Sequence, residues 1–407
     1  MAEFPTDLLT EILSRLPVKS LLRCQLVCKS WNSLIKTPIF IKIHLNKSLI
    51  SNSDHHLLLF YPTFHFSELD LDLDPHHIRL SFSELNHPLK PHKGIQLIGS
   101  CNGVVCISTV SKARVVLYNP LTNSHLKLPS VAIPAHDPNK MVLGFGYDSS
   151  SNSCKVVRIV QGVGLLDNTT NNAQVYSYND NSWRCIEGIP YYLYYGYYHG
   201  VLVNEGLHYV VTQESHSESL FIARFDLATE SFSLIECPNY NENLMSLFNS
   251  TFLLIELGGC LCLMINSCRF NGNLLDEFDN RVLVNAELWV MKEYGDKESW
   301  VKLLCISQPK IVGIRKCARA LVYSKDGRRV LIEIDGLEYG WYDLELKHVE
   351  RIAAHGLPTE GFTTITLLGS LVLLEDKVII ERKTLPRNNK LKTVVDKFLS
   401  KGFKLRL

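Results

Sequence analysis

Phe4-Pro5-Thr6-Asp7-Leu8-Leu9-Thr10-Glu11-Ile12-Leu13-Ser14-Arg15-Leu16-Pro17-Val18-Lys19-Ser20-Leu21-Leu22-Arg23-Cys24, followed by Val27-Cys28-Lys29-Ser30-Trp31, has the spacing of short amphipathic helices. Thr6 is suited to cap the first helix, and Asp7 to its positive end. Leu8, Ile12 and Leu16 recur at i, i+4 and i+8, with Leu9 and Leu13 as a second stripe beside them. Pro17 closes that helix and opens the next, which carries Val18, Leu21 and Leu22 to about Gln25. A third helix carries Val27, Cys28, Trp31, Leu34 and Ile35, and Pro38 is expected to stop it. Helices this few cannot bury so wide an apolar stripe among themselves. The surplus points to a permanent protein partner.

From Asn46 the pattern turns to strands. Glu68-Leu69-Asp70-Leu71-Asp72-Leu73-Asp74 alternates acid and leucine, as a half-buried strand does. Five units then repeat an aromatic strand, a polar turn and an apolar strand. Their landmarks are Gly103–Ser108 with Val115–Tyr118, Val142–Tyr147 with Lys155–Val160, Val201–Val203 with Leu207–Val211, Leu253–Leu257 with Cys260–Ile265, and Ala320–Tyr323 with Val330–Ile334. Each is the size of one propeller blade, and a blade buries its faces only against neighbours in a ring. A sixth blade is expected from both ends of the chain: Leu57–Phe60 and Glu68–Leu73 early, Thr364–Leu368 and Leu371–Leu374 late. The expected fold class is thus α + β and multi-domain: three N-terminal helices (1–46), an all-β propeller of six blades (47–385), and a tail (386–407). In that tail Leu391, Val394, Val395, Phe398 and Leu399 mark an amphipathic helix with lysines opposite.

The helical stretch resembles an F-box. That resemblance implies docking on the Skp adaptor, and through it on the cullin and RING subunits of a ubiquitin ligase. It implies that Phe4, Pro5, Leu8, Ile12, Leu16, Pro17, Val18, Leu21, Val27, Cys28 and Trp31 are core or adaptor-facing. Phe4 departs from the leucine usual at the first contact. Gly99-Ser100-Cys101-Asn102-Gly103-Val104-Val105-Cys106, Tyr118-Asn119-Pro120, Gly144-Phe145-Gly146-Tyr147-Asp148, Lys155-Val156-Val157-Arg158 and Leu288-Trp289-Val290-Met291 resemble the kelch-like F-box-associated domain of plant F-box proteins. Gly259–Met264, Met291–Tyr294, Leu321–Asp326 and Phe398–Leu405 are similar to a branch that restrains plant defence. This implies a substrate receptor for nucleotide-binding leucine-rich-repeat immune receptors, located in cytoplasm and nucleus. S-locus F-box proteins, which recognise ribonucleases in self-incompatibility, share the architecture and are the competing resemblance.

Composition narrows the chemistry. Forty-two Lys+Arg against 41 Asp+Glu is a formal charge of +1, which disfavours nucleic acid as partner. The balance is a cancellation, because residues 376–407 hold ten Lys/Arg against three Asp/Glu. Neither a signal peptide nor a membrane-spanning stretch is read. Twelve cysteines contain no Cys-x-x-Cys pair, so neither a zinc-bound RING nor any other metal site is expected. Cys260 and Cys262 share a strand face and are expected to pack. His55, His56, His65, His76, His77, His87 and His92 read as a solvated loop. Ser324-Lys325-Asp326-Gly327 reads as a hairpin turn rather than a sialidase box. With no nucleophile elbow or P-loop, a propeller hydrolase is disfavoured, and no catalytic residue or cofactor is expected. Tyr191, Tyr192, Tyr194, Tyr195, Tyr197 and Tyr198 are the candidate substrate contacts, since tyrosine anchors interfaces at low entropic cost.

Overall fold

A computed structural model describes residues 5–51, 53–60, 64–69, 79–90, 94–130, 141–163, 170–194, 199–214, 219–240, 250–270, 281–307, 313–359 and 361–374. The expected tail helix lies outside them, as does Asp70–Asp74. Four helices open the chain: α1 (Thr6–Leu13), α2 (Val18–Cys24), α3 (Lys29–Ile35) and α4 (Pro38–Ser51). The fourth corrects the three-helix expectation and moves the end of the helical part from 46 to 51. Pro38 starts a helix rather than stopping one. Its missing N–H costs nothing at a first helical position, and the Thr37 hydroxyl accepts the Phe40 N–H at 3.2 Å. Thr6 is likewise inside α1 rather than capping it. Leu13, Val18, Leu21, Ile35 and Phe40 form the helical core.

Five four-stranded antiparallel sheets and one five-stranded sheet follow, with a parallel two-stranded pairing of Arg79–Ser81 and Ala353–His355 beside them. The first blade holds Ile95–Cys101, Val104–Thr109, Val115–Asn119 and Ser124–Lys127, and the second Met141–Asp148, Ser153–Val163, Thr170–Ser177 and Ser182–Ile186. The third holds Val201–Val203, Gly206–Thr212, Leu220–Asp226 and Phe232–Glu236, with Tyr192–Leu193 as an added edge. The fourth holds Ser250–Leu257, Cys260–Phe270, Arg281–Met291 and Trp300–Ile306, and the fifth Ala318–Tyr323, Arg329–Ile334, Glu338–Asp343 and Val349–Arg351. The sixth takes Thr363–Leu368 from the late chain and His55–Phe60, Phe64–Leu69 and Ser83–Leu85 from the early chain. Leu371–Leu374, expected as a strand of this blade, is not one. Leu371 instead enters the helical core.

Each pair of neighbouring blades buries its own apolar cluster. Leu117 meets Phe145, Val157 meets Phe225, and Ile222 meets Phe252. Leu288 meets Ile332, Leu57 meets Trp341, and Leu58 meets Tyr118, which closes the ring. The innermost strand of every blade lines a central channel of about 150 Å³. The polar turns repeat one device: Asn119, Asp226 and Asp343 each fold a side-chain oxygen back onto a backbone N–H two or three residues on, at 3.0, 2.7 and 2.8 Å. Ser324–Arg329 is a hairpin turn, with Gly327 at φ +71° and its N–H on Ser324 O at 2.9 Å.

A buried ion cluster pins the second blade to the third. Lys155 Nζ donates to Asp148 Oδ2 at 2.8 Å and Glu230 Oε1 at 2.9 Å. Burial pushes the Asp148 carboxyl up, but hydrogen bonds from Lys155, Ser150 and Ser151 more than offset it and hold it well below the carboxylate range. Lys155→Met leaves Asp148, 1% exposed, without its cation. The expected loss is about 3–5 kcal/mol of stability. A group with a depressed folded pKa contributes its full stability above its unfolded pKa and loses it as pH falls toward the folded one. The gap to wild type in denaturant melts should therefore shrink below about pH 4.

The helices join the ring through Asp54. Its Oδ2 accepts Val18 N–H at 2.9 Å, its Oδ1 faces His56 Nε2 at 3.1 Å, and its carbonyl accepts Gly369 N–H at 2.8 Å. Burial raises this carboxyl, yet His56 and the Val18 N–H more than offset that and hold it low. Asn119, fully buried, donates to Ser370 O at 2.9 Å and Val372 O at 2.8 Å. Gly103, at φ +77°, passes so close that a Cβ would meet Ser370 Cβ at 2.1 Å. The helices therefore sit at the end of the ring that carries the turns between first and second strands and between third and fourth. Lys127, Met141, Glu236, Ser250 and Ile306, where strands end or begin at the longer connections, lie at the other end, because successive strands are antiparallel.

Candidate functional site

The helical part keeps large apolar side chains in water. On α1, Leu9 and Leu13 turn to the core, which leaves Leu8 and Ile12, one turn apart, 54% and 53% exposed. Between α2 and α3 the backbone continues the turn: Leu26 N–H donates to Arg23 O at 3.0 Å and Val27 N–H to Cys24 O at 3.1 Å. This sets Leu26 and Val27 outward at 87% and 64% exposure. Pro5, Pro17 and Cys28 are exposed as well. Beside them Glu11 bridges Arg15 at 3.0 Å and Lys47 at 2.6 Å. Hydrogen bonds from Lys47 and then Arg15 lower its carboxyl to about 2.

Of the residues that the F-box resemblance marks, Val18 and Leu21 are fully buried. They hold the helices together, so of the two places the resemblance allows them, core or adaptor-facing, they take the core. Leu16 and Trp31 are half-buried against the same core. Phe4 lies outside the described residues. Leu26 was not singled out by periodicity, because it falls in the connector rather than on a helical stripe.

The tyrosine segment divides. Tyr194 packs edge-on against Phe252 at 5.7 Å, and its hydroxyl donates to Ser250 O at 3.4 Å. Tyr191 packs partly buried against the core shared by the second and third blades. Both contribute to blade packing and are half-buried. Tyr192 is half-buried at the edge of the third blade. Tyr195, Tyr197 and Tyr198 lie outside the described residues.

Histidines expected in a loop are partly structural. His55, His56 and His65 stand on strands of the sixth blade. His56 stacks on Phe66 and the buried His87 meets Phe64 edge-on, their rings 4.8 and 4.7 Å apart. Burial lowers His87 to about 4. His76, His77 and His92 lie outside the described residues. Cys260 and Cys262 pack in the core between the fourth and fifth blades, and burial raises both thiols. Among the described residues no three metal-binding side chains cluster.

Comparison with known proteins agrees with this architecture. The F-box domain family matches residues 1–43, and the F-box associated beta propeller domain matches residues 57–336. F-box protein CPR1 of Arabidopsis thaliana is 32% identical across 100% of both chains. A second F-box protein of that plant is 31% identical, again across 100% of both. An F-box/kelch-repeat protein from it is 30% identical over 81% of this chain and 85% of its own. Among solved structures, an oligogalacturonate lyase from Vibrio parahaemolyticus aligns with a TM-score of 0.39 and 11% identity, covering 75% of this chain and 80% of the lyase. That likeness is too slight to bear on function. The relatives' names place F-box proteins, not enzymes, beside this sequence, and the two family matches follow one another as the helices and the ring do. The chain belongs to the F-box proteins that carry an F-box-associated β-propeller.

Proposed function

We propose that this chain is the non-catalytic substrate receptor of a Skp–cullin–F-box ubiquitin ligase. The observation that carries the proposal is the exposed apolar set Leu8 and Ile12 on α1 with Leu26 and Val27 in the connector after α2, around a helical core that is already filled. Such side chains gain when a partner covers them. The Skp adaptor would dock there, and cullin and RING subunits would join through it. The target would bind at the end of the ring away from the helices, where the long connections leave. Holding it near the ubiquitin-conjugating enzyme raises effective concentration, so this chain needs no reacting side chain. By the resemblance to the branch that restrains plant defence, the targets would be immune receptors held in check by degradation, in cytoplasm and nucleus.

The test is capture of purified Skp adaptor by the full chain. Leu26→Asp with Val27→Asp should weaken capture at least tenfold, the scale of one interface hot spot. The thermal midpoint should stay within about 2 °C, because exposed substitutions cost little stability. Unchanged capture would overturn this docking surface.

A further inference from the structure

The central channel holds two charged side chains, Glu256 and Arg319, from the inner strands of the fourth and fifth blades. No ion pair joins them. Glu256 is exposed, and its Oε1 accepts the Gly259 N–H at 2.6 Å. Arg319 is half-buried, and its guanidinium has no hydrogen bond or ion pair with the described residues. Its cross-strand neighbour, the buried Glu333, feels the Arg319 charge but makes its hydrogen bond elsewhere: Oε2 accepts Thr364 N–H at 3.0 Å. Thr364 is itself fixed by the Tyr339 hydroxyl at 2.7 Å. The Thr366 hydroxyl also lines the channel.

A guanidinium presents five donors in a rigid fork that matches carboxylate and phosphate. Leaving that fork unmatched in a narrow, walled space is unfavourable unless something else meets it. Oxygen anions meet it best, through paired charge-assisted hydrogen bonds. At about 150 Å³ the space falls below the ~300–1,000 Å³ of pockets for drug-sized ligands. We infer that the channel is an anion site, in which Arg319 receives one small carboxylate or phosphate group. That group could be a free small acid or the acidic tip of a protein segment entering the ring. The inference is independent of adaptor docking.

The experiment is thermal unfolding of the full chain in rising inorganic phosphate or citrate, with ionic strength held constant by chloride. The expected result is a saturable rise in midpoint. Arg319→Gln should abolish the rise while leaving the anion-free midpoint near wild type. Arg319→Lys, which keeps charge but loses the fork, should weaken it at least fivefold, and it serves as the readout if the glutamine variant fails to fold. Short peptides containing aspartate, against the same peptides containing asparagine, identify the source. Tighter half-saturation by the acidic peptide assigns a protein segment, and tighter half-saturation by phosphate or citrate assigns a free anion. No saturable shift with any probe, or an equal shift in both Arg319 variants and wild type, overturns the site.

Discussion

Leu8→Asp together with Ile12→Asp is expected to cut capture of the Skp adaptor at least ~100-fold, two hot-spot losses of about 2 kcal/mol taken with partial coupling. Both side chains already face water, at 54% and 53% exposure. Folding therefore loses only helix propensity, a few tenths of a kcal/mol per site. Binding loses the apolar burial and must in addition desolvate two carboxylates, which is the larger effect. Leu21→Ala gives the opposite pattern. Leu21 is fully buried, and a core truncation of this kind costs about 2–5 kcal/mol of stability. It should lower capture only as far as it unfolds the helices, and recover it on cooling. Titration calorimetry beside thermal melts separates the two. If the double aspartate variant binds like wild type, the exposed face is not the docking face.

A chain ending at residue 361 is expected to be insoluble or to melt without cooperativity, whereas one ending at 375 should fold. The difference is the strand Thr363–Leu368, which pairs antiparallel with His55–Phe60 from Phe60↔Thr363 to His55↔Leu368. Without it the sixth blade has no inner strand. Leu57, Leu58 and Leu59, all fully buried, then border an open edge, and such edges aggregate. Exposing several such leucines at about 1.5–3 kcal/mol each approaches the ~5–15 kcal/mol that stabilises a whole domain. The clusters that join the sixth blade to the first and the fifth go with it. Calorimetry and size exclusion of the two truncations decide the matter. A folded, monomeric chain ending at 361 would show that the ring does not depend on its latch.

The blades were readable because each strand is a local pattern: apolar runs near period two, punctuated by Asn, Asp and Gly turns. Val201–Val203 and Leu207–Val211 fall on two observed strands for that reason. The fourth helix was missed because Pro38 has two local meanings, stop and start. Thr37 and the burial of Phe40 and His44 select the second. The packing of Tyr194 and Tyr191 was hidden for the same kind of reason. Composition shows an aromatic cluster, but the partner that occupies Tyr194 is Phe252, far along the chain.

Sequence alone thus determined the helical start, the repeating blades, the family and the latch from both ends, since all of these rest on short-range pattern. Only the tertiary structure decided which helical side chains are core and which are open, that Asp54 and Asn119 tie helices to ring, and that Arg319 lines the channel without a hydrogen bond to the described residues. These depend on contacts between residues distant in the chain, such as Val18 with Asp54 and Asn119 with Ser370. A side chain's periodicity says which face it shares, and only packing says what covers that face.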